Sequence, residues 1–160
     1  MAESLPIVER IAQAIVAALE AVTADNGCRV TVTEVRRPTR TGFGFTLVNR
    51  GVNLVQTDAA RQTELDCPGN PAGIAWRQTF AIDCVVRVGE SETTPLDQTL
   101  NLFAAEIEAA IMADPTWGGL AIDTELTDRL YPPGEKGIEG VTVMFDVLYR
   151  VAEDDPFAQV

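Results

Sequence analysis

Histidine is absent from this 160-residue chain, and lysine occurs once, at Lys136. Without histidine the commonest general base and the commonest metal ligand are missing. Neither a Ser-His-Asp nor a Cys-His arrangement can be assembled within one chain. The single lysine lies in a glycine-rich loop, poor ground for the buried amine that Schiff-base chemistry needs. Cysteine is sparse: Cys28, Cys67 and Cys84 are odd in number and lack C-x-x-C spacing. That argues against a disulfide framework or a zinc site, and for a reducing compartment. Cys28 and Cys84 fall in strand-like runs, where a free thiol behaves as a small buried hydrophobe. Cys67, in an expected loop, is a weak redox candidate. No apolar run is long enough to span a bilayer. The N-terminus carries Glu3 rather than a basic region and its apolar residues are periodic, so no signal peptide and a cytosolic site of synthesis are expected.

What the chain has in excess is acid. Twelve basic residues stand against 24 acidic ones, for a formal charge of −12. Gripping nucleic acid draws on clustered Lys and Arg, so this balance points away from DNA binding, though not from lying beside DNA. Solubility is the plainer use of the charge. An apolar fraction of 46% fits a folded chain. The length suits one domain, residues 1–160, with a real core.

Helix signals open the chain. Ser4 is a candidate N-cap, Pro6 suits a first turn, and Val8, Ile11, Ile15, Ala18, Leu19 and Val22 recur at spacings of three and four. Asn26-Gly27 reads as the stop. The opposite face carries Glu9, Arg10, Gln13 and Glu20, without the cations a membrane-surface helix needs. Residues 28–36 alternate as a strand, with Val30 and Val32 on one face. Two alternations, Phe43-Phe45-Leu47 and Val52-Leu54, split by Asn49-Arg50-Gly51, suggest a hairpin. Residues 57–73 are polar and turn-rich, and an extended loop is expected there, making a long hairpin and loop insertion at about 41–73.

Residues 76–88 alternate throughout, with Trp76, Gln78, Phe80, Ile82, Cys84, Val86 and Val88 on one face. A second helix is expected from Thr94 as N-cap, with a buried stripe of Leu96, Leu100, Phe103, Ile107 and Ile111. Asp114-Pro115 stops it and Gly118-Gly119 turns the chain. Strands follow at 120–130 and 141–151, and then an acidic tail, Glu153-Asp154-Asp155-Pro156-Phe157. The order predicts an α+β fold: a mostly antiparallel mixed sheet with two amphipathic helices on one face.

Chemistry is hard to find in these residues. Gly42-Phe43-Gly44 lacks the G-K-[ST] ending and following helix of a phosphate loop, so a bend is the better reading. The acidic pairs Glu106/Glu108, Asp123/Glu125 and Asp154/Asp155 lack calcium-loop spacing and read as solvated charge. A small enzyme or binding module using buried carboxylates would need a pocket that the sequence cannot display. The local anomaly is basic: Arg36, Arg37 and Arg40 cluster in an acidic chain, either as solvated guanidiniums or as an interface.

The segment LFAAEIEAAIMADPTWGGLAIDTEL, followed after a loop by GVTVMFDVLYRVAEDDPF, resembles the tail terminator (minor tail) proteins of long-tailed bacteriophages. The N-terminal helix and the strand leading to Val35-Arg36-Arg37-Pro38 are similar to the same family. Together the two ends cover about two-thirds of the chain, and the middle departs from the pattern. The resemblance implies a structural virion protein without catalytic residues, metal or cofactor. Six copies would form a ring that caps the tail tube, ends its elongation and offers the head-joining surface. The implied partners are tail tube protein and a head-completion or neck protein, with DNA passing the lumen unbound. The implied location is the virion, after assembly in host cytoplasm. A neighbouring neck protein, such as a head-completion or connector protein, is the alternative. Candidate subunit or partner interface residues are Arg36, Arg37, Arg40, Asp154, Asp155 and Phe157.

Overall fold

The computed structural model describes residues 5–38, 50–89, 93–134 and 137–160. Seven elements follow in chain order: α1 (Ile7–Glu20), β1 (Glu34–Arg36), β2 (Arg50–Arg61), β3 (Gly73–Arg87), α2 (Leu96–Met112), β4 (Asp123–Leu130) and β5 (Ile138–Ala152). One five-stranded sheet has the order β1-β2-β3-β5-β4. Only β1 and β2 run parallel; the other three pairings are antiparallel. This is the α+β arrangement expected from the element order. No helix among the described residues is long and apolar enough to cross a membrane.

The sheet is built around β3 and β5, which pair residue for residue from Gly73↔Ala152 to Arg87↔Ile138. Period-two alternation sends Phe80, Ile82, Cys84 and Val86 to the same face as Val141, Val143, Phe145 and Val147, and all eight are buried. Phe80 and Phe145 stack at 5.5 Å between ring centroids. Both helices lie on this face. Ile7, Ile11, Ala12, Ile15 and Leu19 of α1, and Leu100, Phe103, Ala104, Ile107 and Ile111 of α2, complete a single core. Among the described residues, no helix covers the opposite face of the sheet. Its polar groups satisfy one another across strands: Thr79 Oγ1 donates to Asp146 at 2.6 Å and Thr142 Oγ1 to Asp83 at 2.7 Å.

Several elements differ from the sequence expectation. The strand at 28–36 shrinks to Glu34–Arg36. Val30 and Val32 are buried as expected, but the Val32 N–H donates to the Val22 carbonyl at 2.8 Å rather than to a strand partner. The Asn49-Arg50-Gly51 turn is not one: Arg50 and Gly51 already belong to β2, opposite Val86 and Val85. The other arm of that hairpin, with Gly42-Phe43-Gly44 and Arg40, lies outside the described residues, as do Ser4 and Lys136. The expected loop at 57–73 is strand as far as Arg61, because its backbone continues the ladder on β3 after a bulge between Gln56 and Ala59. Gln78 Nε2 donates to the Asp58 carbonyl at 2.9 Å, satisfying a bulge group that the ladder leaves over. The rest of that segment is pinned by Asp66, whose carboxylate accepts from the Ala75 N–H at 2.8 Å and from Arg61 at 2.7 Å. Those two partners, in that order, hold Asp66 below the usual carboxylate value.

Smaller corrections fall at helix ends. Gly27, at φ 84°, closes a short 3-10 turn (Ala24–Asn26) rather than α1 itself. Pro95 rather than Thr94 occupies the N-cap position of α2, and Leu96 is exposed instead of joining the buried stripe. The stop after α2 is as expected. Asp114 accepts from the Thr116 hydroxyl at 2.7 Å and the Gly118 N–H at 2.6 Å. Gly118 and Gly119 take φ of 70° and 86°. Trp117 is buried, and its indole N–H donates to Thr124 Oγ1 at 2.9 Å, which in turn donates to the Pro115 carbonyl at 2.7 Å.

Candidate functional site

Two of the three clustered arginines, Arg36 and Arg37, are paired within the chain. Arg36 ends β1, and its Nε donates to Glu34 two residues back. Arg37 reaches the first turn of α1 and grips Glu9 with both terminal nitrogens, at 2.5 and 3.0 Å. That bidentate contact raises the Arg37 pKa above its ordinary value. Arg36 and Arg37 are therefore occupied by carboxylates, Glu34 two residues back on the same strand and Glu9 28 residues away on α1.

The acidic tail is folded back rather than loose. The Ala152 N–H donates to the Ala158 carbonyl at 2.9 Å, and the Glu153 N–H to the Ala72 carbonyl at 2.8 Å. The Ile7 N–H at the start of α1 donates to the Pro156 carbonyl at 3.3 Å, supplying a cap that no side chain provides. Asp155 accepts from the Phe157 N–H at 3.0 Å, and Gln159 donates to the Gly119 carbonyl. Glu153, Asp154 and Asp155 are left exposed on this turn, with Phe157 beside them at 42% exposure. Thus both candidate groups meet the first turn of α1, Arg37 through Glu9 and the tail through Ile7.

A different basic site lies at the far end of the sheet. Among the described arginines, Arg29, Arg36, Arg37, Arg61, Arg77 and Arg129 each sit against a carboxylate. Arg150 donates to the Leu65 carbonyl. Arg10, Arg50 and Arg87 have no such partner among the described residues; Arg10 lies exposed on α1, while Arg50 and Arg87 both line one cavity of about 400 Å³. Arg50 opens β2 opposite Val86 and Arg87 closes β3 one residue further on, so the two arginines are diagonal neighbours at one end of the sheet. The first turns of α2 form the opposite wall, where Leu96 and Leu102 are 38% and 37% exposed. Neither arginine stands out in the sequence, where Arg50 reads as a turn residue and Arg87 as part of the polar face of a strand. One signal was present: Leu102 is apolar yet lies off the buried stripe of α2.

Of the paired carboxylates, Glu106, Glu108 and Glu125 each contact an arginine. Glu106 accepts from the Arg29 backbone N–H at 3.1 Å and lies 3.7 Å from its guanidinium, and Glu108 is gripped by Arg129 at 2.6 and 2.7 Å. Glu125 and Asp146 share Arg77, each at 3.5 Å. No group of three or more His, Cys, Asp or Glu side chains suited to a metal occurs among the described residues. The three cysteines are free; Cys84 is buried, and burial pushes its thiol pKa well above the ordinary value. Comparison with protein-family models gives no match, and comparison with curated proteins gives none either.

Proposed function

We propose that this chain is a structural subunit of a long-tailed phage, a tail terminator that assembles as a ring of six on the tail tube. The ring would stop further addition of tube protein and present the surface on which a head-completion or neck protein docks. The observation that carries the reading is a division of labour in the fold. One sheet face holds the whole core, while acidic and basic surface features stand at opposite ends of the same strands. Such a subunit presents different surfaces fore and aft, as a heterologous ring requires. The residue pattern from α2 through β5 supports the same reading. The acidic balance suits a lumen through which DNA slides without being held, since the formal charge of −12 is multiplied by six. The reading assigns the protein no catalytic residue and no cofactor.

Electron microscopy of the purified chain mixed with tail tubes tests this reading. The expected result is a ring of six at one end of the tube and tubes that no longer lengthen. Particles that bind a portal-side protein and ignore tubes would assign the chain to the neck instead.

A further inference from the structure

Arg50 and Arg87, which lack carboxylate partners among the described residues, and the acidic turn are complementary, and they cannot meet within one molecule. Arg50 and Arg87 lie where β2 begins and β3 ends; the acidic turn follows the last residue of β5, opposite Gly73. The β3–β5 pair is 15 residues long, so about 50 Å of strand separates the two features. Each feature also combines charge with an apolar element. The cavity is lined by Arg50 and Arg87 together with Leu96 and Leu102 of α2. The turn has Asp154 and Asp155 next to the exposed ring of Phe157.

We propose that the cavity beside Arg50 and Arg87 receives the acidic turn of a second copy of this chain. Asp154 and Asp155 meet the two guanidiniums, and Phe157 packs against Leu96 and Leu102. Aromatic and arginine side chains are the types enriched at protein interfaces. The two surfaces differ, so the contact is heterologous: each copy gives its turn to one neighbour and takes the turn of another. This inference rests on the ring reading and names the contact that closes the ring. It also moves the basic half of the interface away from Arg36 and Arg37, whose carboxylate partners are already in the chain.

Charge exchange tests it. Arg50→Glu with Arg87→Glu makes both ends of a copy acidic; Asp154→Lys with Asp155→Lys makes both ends basic. Native mass spectrometry should show each double variant losing the wild-type oligomer and a one-to-one mixture regaining it, because alternating copies restore every contact. Leu102→Glu, which puts a carboxylate in the cavity and leaves both arginines in place, should also lose the oligomer. Far-ultraviolet circular dichroism of each variant checks that the fold is retained. The proposal is overturned if either double variant assembles as the wild type does, or if the mixture stays apart. Should wild type and variants all form rings, this contact alone is wrong. Should the wild type never self-associate, the ring reading falls with it.

Discussion

The helix-covered face of the sheet and the two ends of its strands are built from opposite materials. On the covered face, Phe80, Phe103, Phe145 and the isoleucines of α1 are fully buried, and each is held by many neighbours. At the ends, Arg50, Arg87, Asp154, Asp155 and Phe157 are partly or fully exposed, and little in the fold depends on their side chains. The difference teaches that stability and assembly are separable here. A change on the covered face should unfold the subunit, and a change at an end should leave it folded.

The largest effect is expected from Phe145→Ala, which removes a stacked ring from the middle of the core. It should cost about 3–5 kcal/mol in urea titration. A cost below about 1 kcal/mol would mean that this face is not the core. Next comes Thr124→Val. It deletes the acceptor of the Trp117 indole N–H and should cost about 1–3 kcal/mol, because a buried donor is left unpaired. If Thr124→Val is neutral, the turn after α2 is held by packing alone.

Arg36→Glu with Arg37→Glu sharpens the contrast between the two basic regions. Exposed ion pairs contribute little, so the stability change should stay within about 1 kcal/mol. Oligomer mass should also be unchanged, unlike that of the Arg50/Arg87 variant. A lost oligomer here would restore the Arg36–Arg37 cluster as the interface.

The smallest effect concerns Asp114, whose pKa lies below the ordinary 3.8, first because of the Thr116 hydroxyl and then the Gly118 N–H. A depressed carboxylate contributes stability that is complete above its unfolded value and is lost as pH falls through the folded one. Asp114→Asn should therefore flatten the acid limb of the stability curve below about pH 4 and change its slope little near neutrality. An unchanged acid limb would remove Asp114 from the account.

The sequence made the architecture legible where apolar residues alternated against a buried face, as in β3, β5 and both helices. It failed where the ladder ran on without such a face. Thr57, Asp58, Ala59, Ala60 and Arg61 look like loop because both of their faces are exposed, and only pairing with Trp76, Arg77 and Gln78 makes them strand. Val30 and Val32 mislead in the other direction: they alternate and are buried, yet only Glu34–Arg36 gains a partner strand. Asp154, Asp155 and Phe157 are legible in the sequence as an acidic tail with one aromatic, though not as the folded-back turn they form. Their counterpart at Arg50 and Arg87 is not legible there, because a basic site is defined by which cations lack carboxylates, and ion pairing in this chain is mostly between residues distant in sequence. Glu9 and Arg37 lie 28 residues apart, and Glu108 and Arg129 lie 21 apart.

The mass of the wild-type protein in solution bears most directly on the account. Sedimentation across a range of concentrations should resolve a closed species of six 17.3 kDa chains, with no continuing growth to larger sizes. A strict monomer at every concentration, or an open series of ever larger polymers, would contradict it.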